Sequence, residues 1–174
     1  LAPGIEVEDK LDEIAGDPDV AFSCPNFNIK PAEVRQRSKP QIDQRSQAYI
    51  DDKSPVNFYG QPSALRLHLT EAQRISRGWG VRVAVIDTGV DFNHPLFAGR
   101  IAYPNYDFVN NDGDPQEVSG DIGYGHGTFV SGLILLAAPG AAIMPLRAFS
   151  SDGSGTSFNI ARAIRFATDN GAQV

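Results

Sequence analysis

The sequence is poor in the residues that carry redox, metal or membrane chemistry. It holds one cysteine, Cys24, one methionine and one tryptophan in 174 residues. A single cysteine cannot form a disulfide within the chain. That excludes a bridge-stapled scaffold, yet admits both a cytoplasmic protein and a secreted one that needs no bridge. As a nucleophile Cys24 would need a histidine partner in space; it reads more simply as a small residue in or beside a strand. Histidine is scarce too. His68 and His94 stand at no metal-binding spacing from a partner, so both are read as surface or packing residues. No apolar run approaches the roughly 18 residues of a membrane helix. Positive charge is in short supply: 15 basic residues against 21 acidic ones give a net charge of −6. That balance argues against nucleic acid or an anionic membrane as partner, since either needs a basic surface. No signal-peptide pattern opens the chain. It begins at Leu1 and ends at Val174 in mid-pattern, and both ends are expected to be truncations.

What is present falls into three stretches. In residues 5–22, Val7, Leu11 and Ile14 recur at helical spacing among acidic residues, Gly16-Asp17-Pro18-Asp19 makes a turn, and Val20-Ala21-Phe22 reads as a short strand. One helix and one strand cannot bury a core alone. Residues 23–63 are polar, with prolines scattered through them. Inside, QRSKPQID (36–43) is followed by QRSQAYID (44–51), a repeat of period eight. An even period puts Ile42 and Ile50 on one face of an extended chain. Two copies are too few for a solenoid, so the stretch reads as a surface linker.

From residue 64 the pattern becomes α/β. Residues 64–76 read as containing a helix, with Thr70 as N-cap and Leu69, Ala72 and Ile75 facing inward. VRVAVID (81–87) is a nearly continuous β-branched run, which suits a parallel strand buried on both faces. A helix is predicted from His126 to Ala137, a strand from Ala141 to Phe149, and an amphipathic helix from Ser157 to Asn170. In that last helix Ile160, Ala163, Ile164 and Ala167 form one stripe, and Gly171 is the residue just past its end. Val174 opens a further strand. Alternating β and α segments imply a doubly wound parallel sheet.

Two residues in this frame point to chemistry. Asp87 ends a buried strand, at the edge where open parallel sheets collect catalytic groups. His126 opens a helix between glycines that allow close backbone approach. A helix N-terminus disfavours its charged form and a nearby carboxylate favours it, the balance a general base needs. A lone strand-end aspartate more often caps a turn, and a lone histidine is often structural, so neither residue decides the matter alone.

Together the two segments do. VAVIDTGVDFNHP (83–95) followed by GHGTFVSG (125–132) resembles the two-part pattern of the subtilase family, peptidase family S8. The likeness continues through APGA (138–141), IMPLRAF (143–149) and DGSGT (152–156), covering roughly residues 64–174. It implies a subtilisin-like doubly wound parallel sheet, here truncated, and serine-type endopeptidase chemistry. Asp87 would orient His126, and His126 would take the proton of a serine hydroxyl. That serine is expected beyond Val174, because Ser131, Ser154 and Ser157 lie outside the family's Gly-Thr-Ser context. The chain alone is therefore expected to be inactive. Ser154, Gly155 and Thr156 match the edge against which an extended peptide pairs, and Phe149 and Ile160 match positions lining its pockets.

The resemblance extends to the front of the chain. GDPDVAFSCPNF (16–27) is similar to the tail of the inhibitory propeptide of such proteases. The expected division is a propeptide remnant over residues 1–30, a linker over 31–63 in which maturation occurs, and the first part of the catalytic domain over 64–174. Expected partners are a polypeptide substrate and the chain's own propeptide, with a monomer when complete and secretion as the family location. No cofactor is implied. Many relatives hold calcium in a loop that interrupts the histidine helix. The run from His126 to Pro139 has no such insertion, and Leu96 follows Pro95, so that site is not expected. NNDGD (110–114) fails the EF-hand template, since Phe108 and Ser119 take the first and twelfth ligand positions, and reads as a turn. The rival readings are a truncated, inactive module that binds a partner, and a metal-dependent hydrolase, which lacks a third ligand.

Overall fold

The computed structural model describes residues 6–29, 58 and 60–174. The eight-residue repeat and nearly all of the expected linker lie outside the described residues.

At the front, helix α1 spans Val7–Ala15 and strand β1 spans Asn28–Ile29. The Gly16–Asp19 turn forms as expected, with Asp17 Oδ1 accepting from Asp19 N at 2.9 Å. The predicted strand over Val20-Ala21-Phe22 does not form. Those residues are irregular, and the Phe22 ring is 81% exposed. Among the described residues no partner edge lies beside them, and a strand without a ladder leaves its backbone groups to water. The chain instead becomes extended six residues later, where an edge is available.

Helices α2 (Pro62–Arg66) and α3 (Leu69–Ile75) follow, split by His68 in the left-handed region at φ +52°. This corrects the single helix capped by Thr70. Leu69 packs inward, but Ala72 is exposed and Ile75 is 91% exposed. Phe58 and Ala64 join Leu136 in a small buried cluster.

Among the described residues three strands make the main sheet: β2 (Arg82–Asp87), β3 (Tyr106–Asp107) and β4 (Ala142–Arg147), all parallel in the order β2-β4-β3. Helix α4 (His126–Ala137) covers one face and helix α5 (Ser157–Asp169) the other. Strand periodicity decides which side chain meets which helix. Val83, Val85 and Ile143 form a core with Leu135 of α4, while Met144 and Leu146 form one with Ala163 and Ala167 of α5. Both faces are buried, which is why β2 and β4 are apolar without alternation. On α5, Phe166 joins the inward face and Ile164 is 54% exposed, so the predicted stripe is rotated by part of a turn. Gly171 is left-handed at φ +75° and closes that helix, as expected.

The chain end runs beside β2. Gln173 N donates to Arg82 O at 3.0 Å and Ala84 N donates to Val174 O at 2.8 Å. Strand-like pairing thus starts on β2's second edge where the sequence pattern predicted it. The NNDGD stretch is a turn closed by reciprocal backbone bonds between Asp107 and Asp112. Cys24 is exposed in the irregular segment before β1.

Candidate active site

Asp87 is the last residue of β2. Its carbonyl accepts from Ala148 N and Phe149 N at 3.0 and 3.2 Å, which fixes the strand end. Its carboxylate accepts from Thr88 N at 2.7 Å and faces His126 Nδ1, at 2.8 Å through Oδ1 and 3.0 Å through Oδ2. The side chains of His126 and Asp87 are 23% and 13% exposed, so both are shielded yet reachable. With Asp87 ionised, this contact requires the proton on Nδ1. The ring's lone pair then lies on Nε2.

The chain turns sharply to present that ring. Gly125 is the N-cap of α4, in the left-handed region at φ +83°, where a side chain would be strained. His126 N donates to Gly123 O at 3.1 Å. Gly127 lies on the backbone of Gly89, and a Cβ there would overlap the Gly89 carbonyl oxygen and press on Asp87. Helix and strand therefore touch backbone to backbone at the pair. Thr88, 1% exposed, pins the contact: its hydroxyl donates to Gly123 O at 3.1 Å and accepts from Gly127 N at 3.2 Å.

Strand β5 (Gly155–Thr156) is linked to the pair through Phe149, whose N donates to the Asp87 carbonyl and which bridges to Gly155. The loop before it is tight, with Ser154 N and Oγ both donating to Asp152 Oδ1, at 2.8 and 2.6 Å. Gly123 N donates to Ser151 O at 2.7 Å, so the loop ahead of His126 is joined to the loop ahead of β5. Phe149 lies under Gly155, paired with it through an isolated bridge, and Ile160 packs on the same buried cluster. The five residues expected to bind peptide, Phe149, Ser154, Gly155, Thr156 and Ile160, are thus gathered in one region. Thr156 has a second duty, capping α5 by accepting from Asn159 N at 3.2 Å.

β5 already carries a strand. β1 pairs with it antiparallel, Asn28 opposite Thr156 and Ile29 opposite Gly155. The pairing continues outward: Ser157 N donates to Phe27 O at 2.8 Å, and Asn26 Oδ1 accepts from Phe158 N at 2.9 Å at the start of α5. Ile29 packs against the cluster that includes Phe149 and Ile160.

Sequence reasoning missed Thr88, Gly123 and Glu117. Thr88 carried a signal, being adjacent to Asp87, whereas Glu117 carried none. The Glu117 side chain accepts from Gly125 N at 3.0 Å. Burial pushes its carboxyl above the ordinary value; bonds from Thr128 and Gly125 pull it back in part, and Asp91 and Asp87 add to the rise. Of the three serines considered above, two are bound elsewhere and one is enclosed. Ser154 Oγ is bound to Asp152, Ser157 Oγ to Asn26, and Ser131 is fully buried. His94 accepts from Leu96 N at 3.2 Å, a local cap. No cluster of three or more metal-ligating side chains occurs among the described residues.

A two-sided parallel sheet carries an aspartate–histidine pair at its carboxyl edge, where open α/β sheets collect their functional groups. The model of the Subtilase family matches residues 78–174, and the chain belongs to that family. Thermitase of Thermoactinomyces vulgaris is 37% identical over 119 residues, 63% of this chain and 40% of thermitase. The minor extracellular protease Vpr of Bacillus subtilis is 32% identical over 167 residues, 90% of this chain and 20% of Vpr. Among solved structures, a lanthipeptide protease is 28% identical with a TM-score of 0.52, over 59% of this chain and 30% of that one. The chain therefore spans well under half the length of these relatives.

Proposed function

We propose that the whole protein is a serine-type endopeptidase in which Asp87 and His126 are two members of the catalytic triad. The observation that carries this reading is the contact of His126 Nδ1 with both Asp87 oxygens, at 2.8 and 3.0 Å. Asp87 holds the ring in the tautomer whose lone pair is on Nε2 and stabilises the imidazolium that forms. His126 Nε2 takes the hydroxyl proton of a serine as the oxygen attacks the scissile carbonyl, then returns it to the leaving amine. The serine comes from a segment outside residues 1–174, since Ser131, Ser154 and Ser157 are buried or bound elsewhere.

The substrate is a polypeptide in extended form. Gly155–Thr156 offers an antiparallel edge, and Phe149 and Ile160 line the space for a side chain. Residues 1–30 act as part of an inhibitory propeptide, supported by β1 lying on that edge as a substrate strand would. Residues 31–63 are the linker cut in maturation, and residues 64–174 begin the catalytic domain. The mature enzyme is a secreted monomer. Support for secretion is the family, with Vpr named as extracellular, and no described helix is long and apolar enough to cross a membrane.

The deciding experiment is peptide hydrolysis by the full-length protein, together with covalent labelling by a fluorophosphonate. Activity and labelling that both vanish in His126→Ala are expected. A full-length protein that folds, binds peptide and neither cleaves nor labels would reject the peptidase and leave a binding module.

A further inference from the structure

We propose that Glu117 is a positioning residue for the Asp87–His126 pair, clamping the backbone next to both members. The proposal rests on the peptidase reading above for its kinetic part, and on geometry alone for the rest. Glu117 lies nine residues before His126 and is 8% exposed.

Its backbone is held against the segment that directly follows Asp87. A Cβ on Gly89 would stand 2.9 Å from Glu117 N and 3.0 Å from Glu117 Cα, so the two segments are in direct contact. Glu117 N donates to Val90 O at 3.4 Å and Val90 N donates to Pro115 O at 3.1 Å. Its side chain is held by the helix that carries His126. Oε2 accepts from Gly125 N at 3.0 Å, and the carboxyl also bonds the Thr128 hydroxyl. Thr128 Oγ1 in turn accepts from Asp91 N at 2.8 Å, returning the tether to the Asp87 loop.

The arrangement meets a specific need. A helix start leaves unpaired N–H groups, which a capping side chain ordinarily satisfies. Gly125 is the N-cap of α4 and has no side chain to do so. Glu117 acts from outside the helix, much as the third residue of a capping box reaches back to the cap nitrogen. The ring of His126 projects from the first helical residue, so its direction follows the angle at Gly125. Acidic groups surround the Glu117 carboxyl: Asp91, Asp87 and the Tyr124 hydroxyl, which is itself raised by burial and then by Glu117 and Asp91. A carboxyl kept in such surroundings while bonded to one backbone nitrogen fits a geometric role better than a solvating one.

The test uses the full-length protein with Glu117→Gln, which keeps an acceptor of the same shape, and Glu117→Leu, which removes it. Two quantities are read: kcat with KM on a peptide substrate, and the low-field proton resonance of His126 Nδ1, which reports the bond to Asp87 with or without catalysis. Glu117→Leu is expected to lower kcat by about 10- to 100-fold, as a displacement of about an ångström does, with KM within about twofold. Its Nδ1 resonance weakens by exchange, and Glu117→Gln restores both. A Glu117→Leu protein with wild-type kcat and resonance overturns the proposal, as does a loss of thermal stability with the resonance intact. Equal losses in Glu117→Gln and Glu117→Leu also overturn it, because charge rather than placement would then matter. Should Glu117→Leu fail to fold, Thr128→Val removes one of the two bonds that tie the carboxyl to the helix side, and a weaker Nδ1 resonance is expected there; an unchanged resonance overturns the proposal. If even the unsubstituted protein cleaves nothing, the peptidase reading fails, while a resonance that still responds to Glu117→Leu keeps the positioning role.

Discussion

Helices α1 and α4 make an instructive pair. α1 has the plainer amphipathic pattern, with Val7, Leu11 and Ile14 on one face, yet it buries no residue, and Val7 is 40% exposed. α4 is apolar nearly all round and buries six residues, among them Leu135, Leu136 and the fully enclosed Ser131. A stripe of apolar residues states that a helix wants cover and says nothing about what supplies it. α4 finds cover because β2 and β4 present Val83, Val85 and Ile143 to it. α1 has no such sheet among the described residues, and the front segment is tied down instead at β1, by a two-residue ladder and the Asn26 cap on α5.

That contrast can be sharpened by experiment, beginning where the effect is largest. In the full-length protein, His126→Ala is expected to lower turnover by about 10⁶-fold and Asp87→Asn by about 10⁴-fold, the sizes known for such triads. No substitution in α1 is expected to approach either value, and steady-state kinetics on one peptide checks all of them. Gly127→Ala comes next. The added methyl would overlap the Gly89 carbonyl oxygen, a backbone atom that cannot swing aside. A loss above about 3 kcal/mol is expected in denaturant unfolding, of the size that overpacking reaches at its upper end.

Burial predicts the third difference directly. Leu135→Ala, at 3% exposure, is expected to cost about 2–5 kcal/mol. Leu11→Ala, on a helix with no buried residue, is expected to stay within about 0.5 kcal/mol. Equal losses at the two sites would mean that α1 is covered by something in solution, and the comparison would break.

The smallest expected effect is a slope in pH. Burial holds the Glu117 carboxyl above its ordinary value of 4.5, so the folded chain keeps that proton to higher pH than the unfolded chain. Between the two values the folded state binds more protons, and stability falls as pH rises through that window. Glu117→Gln removes this component, so its Tm should decline less than that of the unsubstituted chain as pH rises from 4.5. Parallel Tm curves for the two proteins would contradict the assignment.

Much of the sheet region was legible in the residues. β2 and β4 were readable because burial on both faces demands continuous apolar runs, and α4 and α5 because glycines and caps bound them. The pair was readable because Asp87 and His126 stand in short motifs with tight backbone requirements. Less was legible where the decisive partner is far away. Val20-Ala21-Phe22 has strand composition and forms no strand, whereas Asn28–Ile29 does, because its neighbourhood finds partners about 130 residues further on, at Ser157 and β5. Ile164 and Ile75 were assigned inward from spacing and point outward, since a stripe's exact rotation is set by the surface it meets.

By itself, then, the sequence determined the strand and helix alternation, the two faces of the sheet, and which aspartate and histidine meet at its edge. These follow from local periodicity and from residues whose backbone demands admit few alternatives. Tertiary structure alone decided that β1 lies on β5, that Thr88 and Gly123 lock the two loops, and that Glu117 reaches the cap of α4. Each of those depends on contacts between segments distant along the chain, and no local pattern encodes a distance that only folding closes.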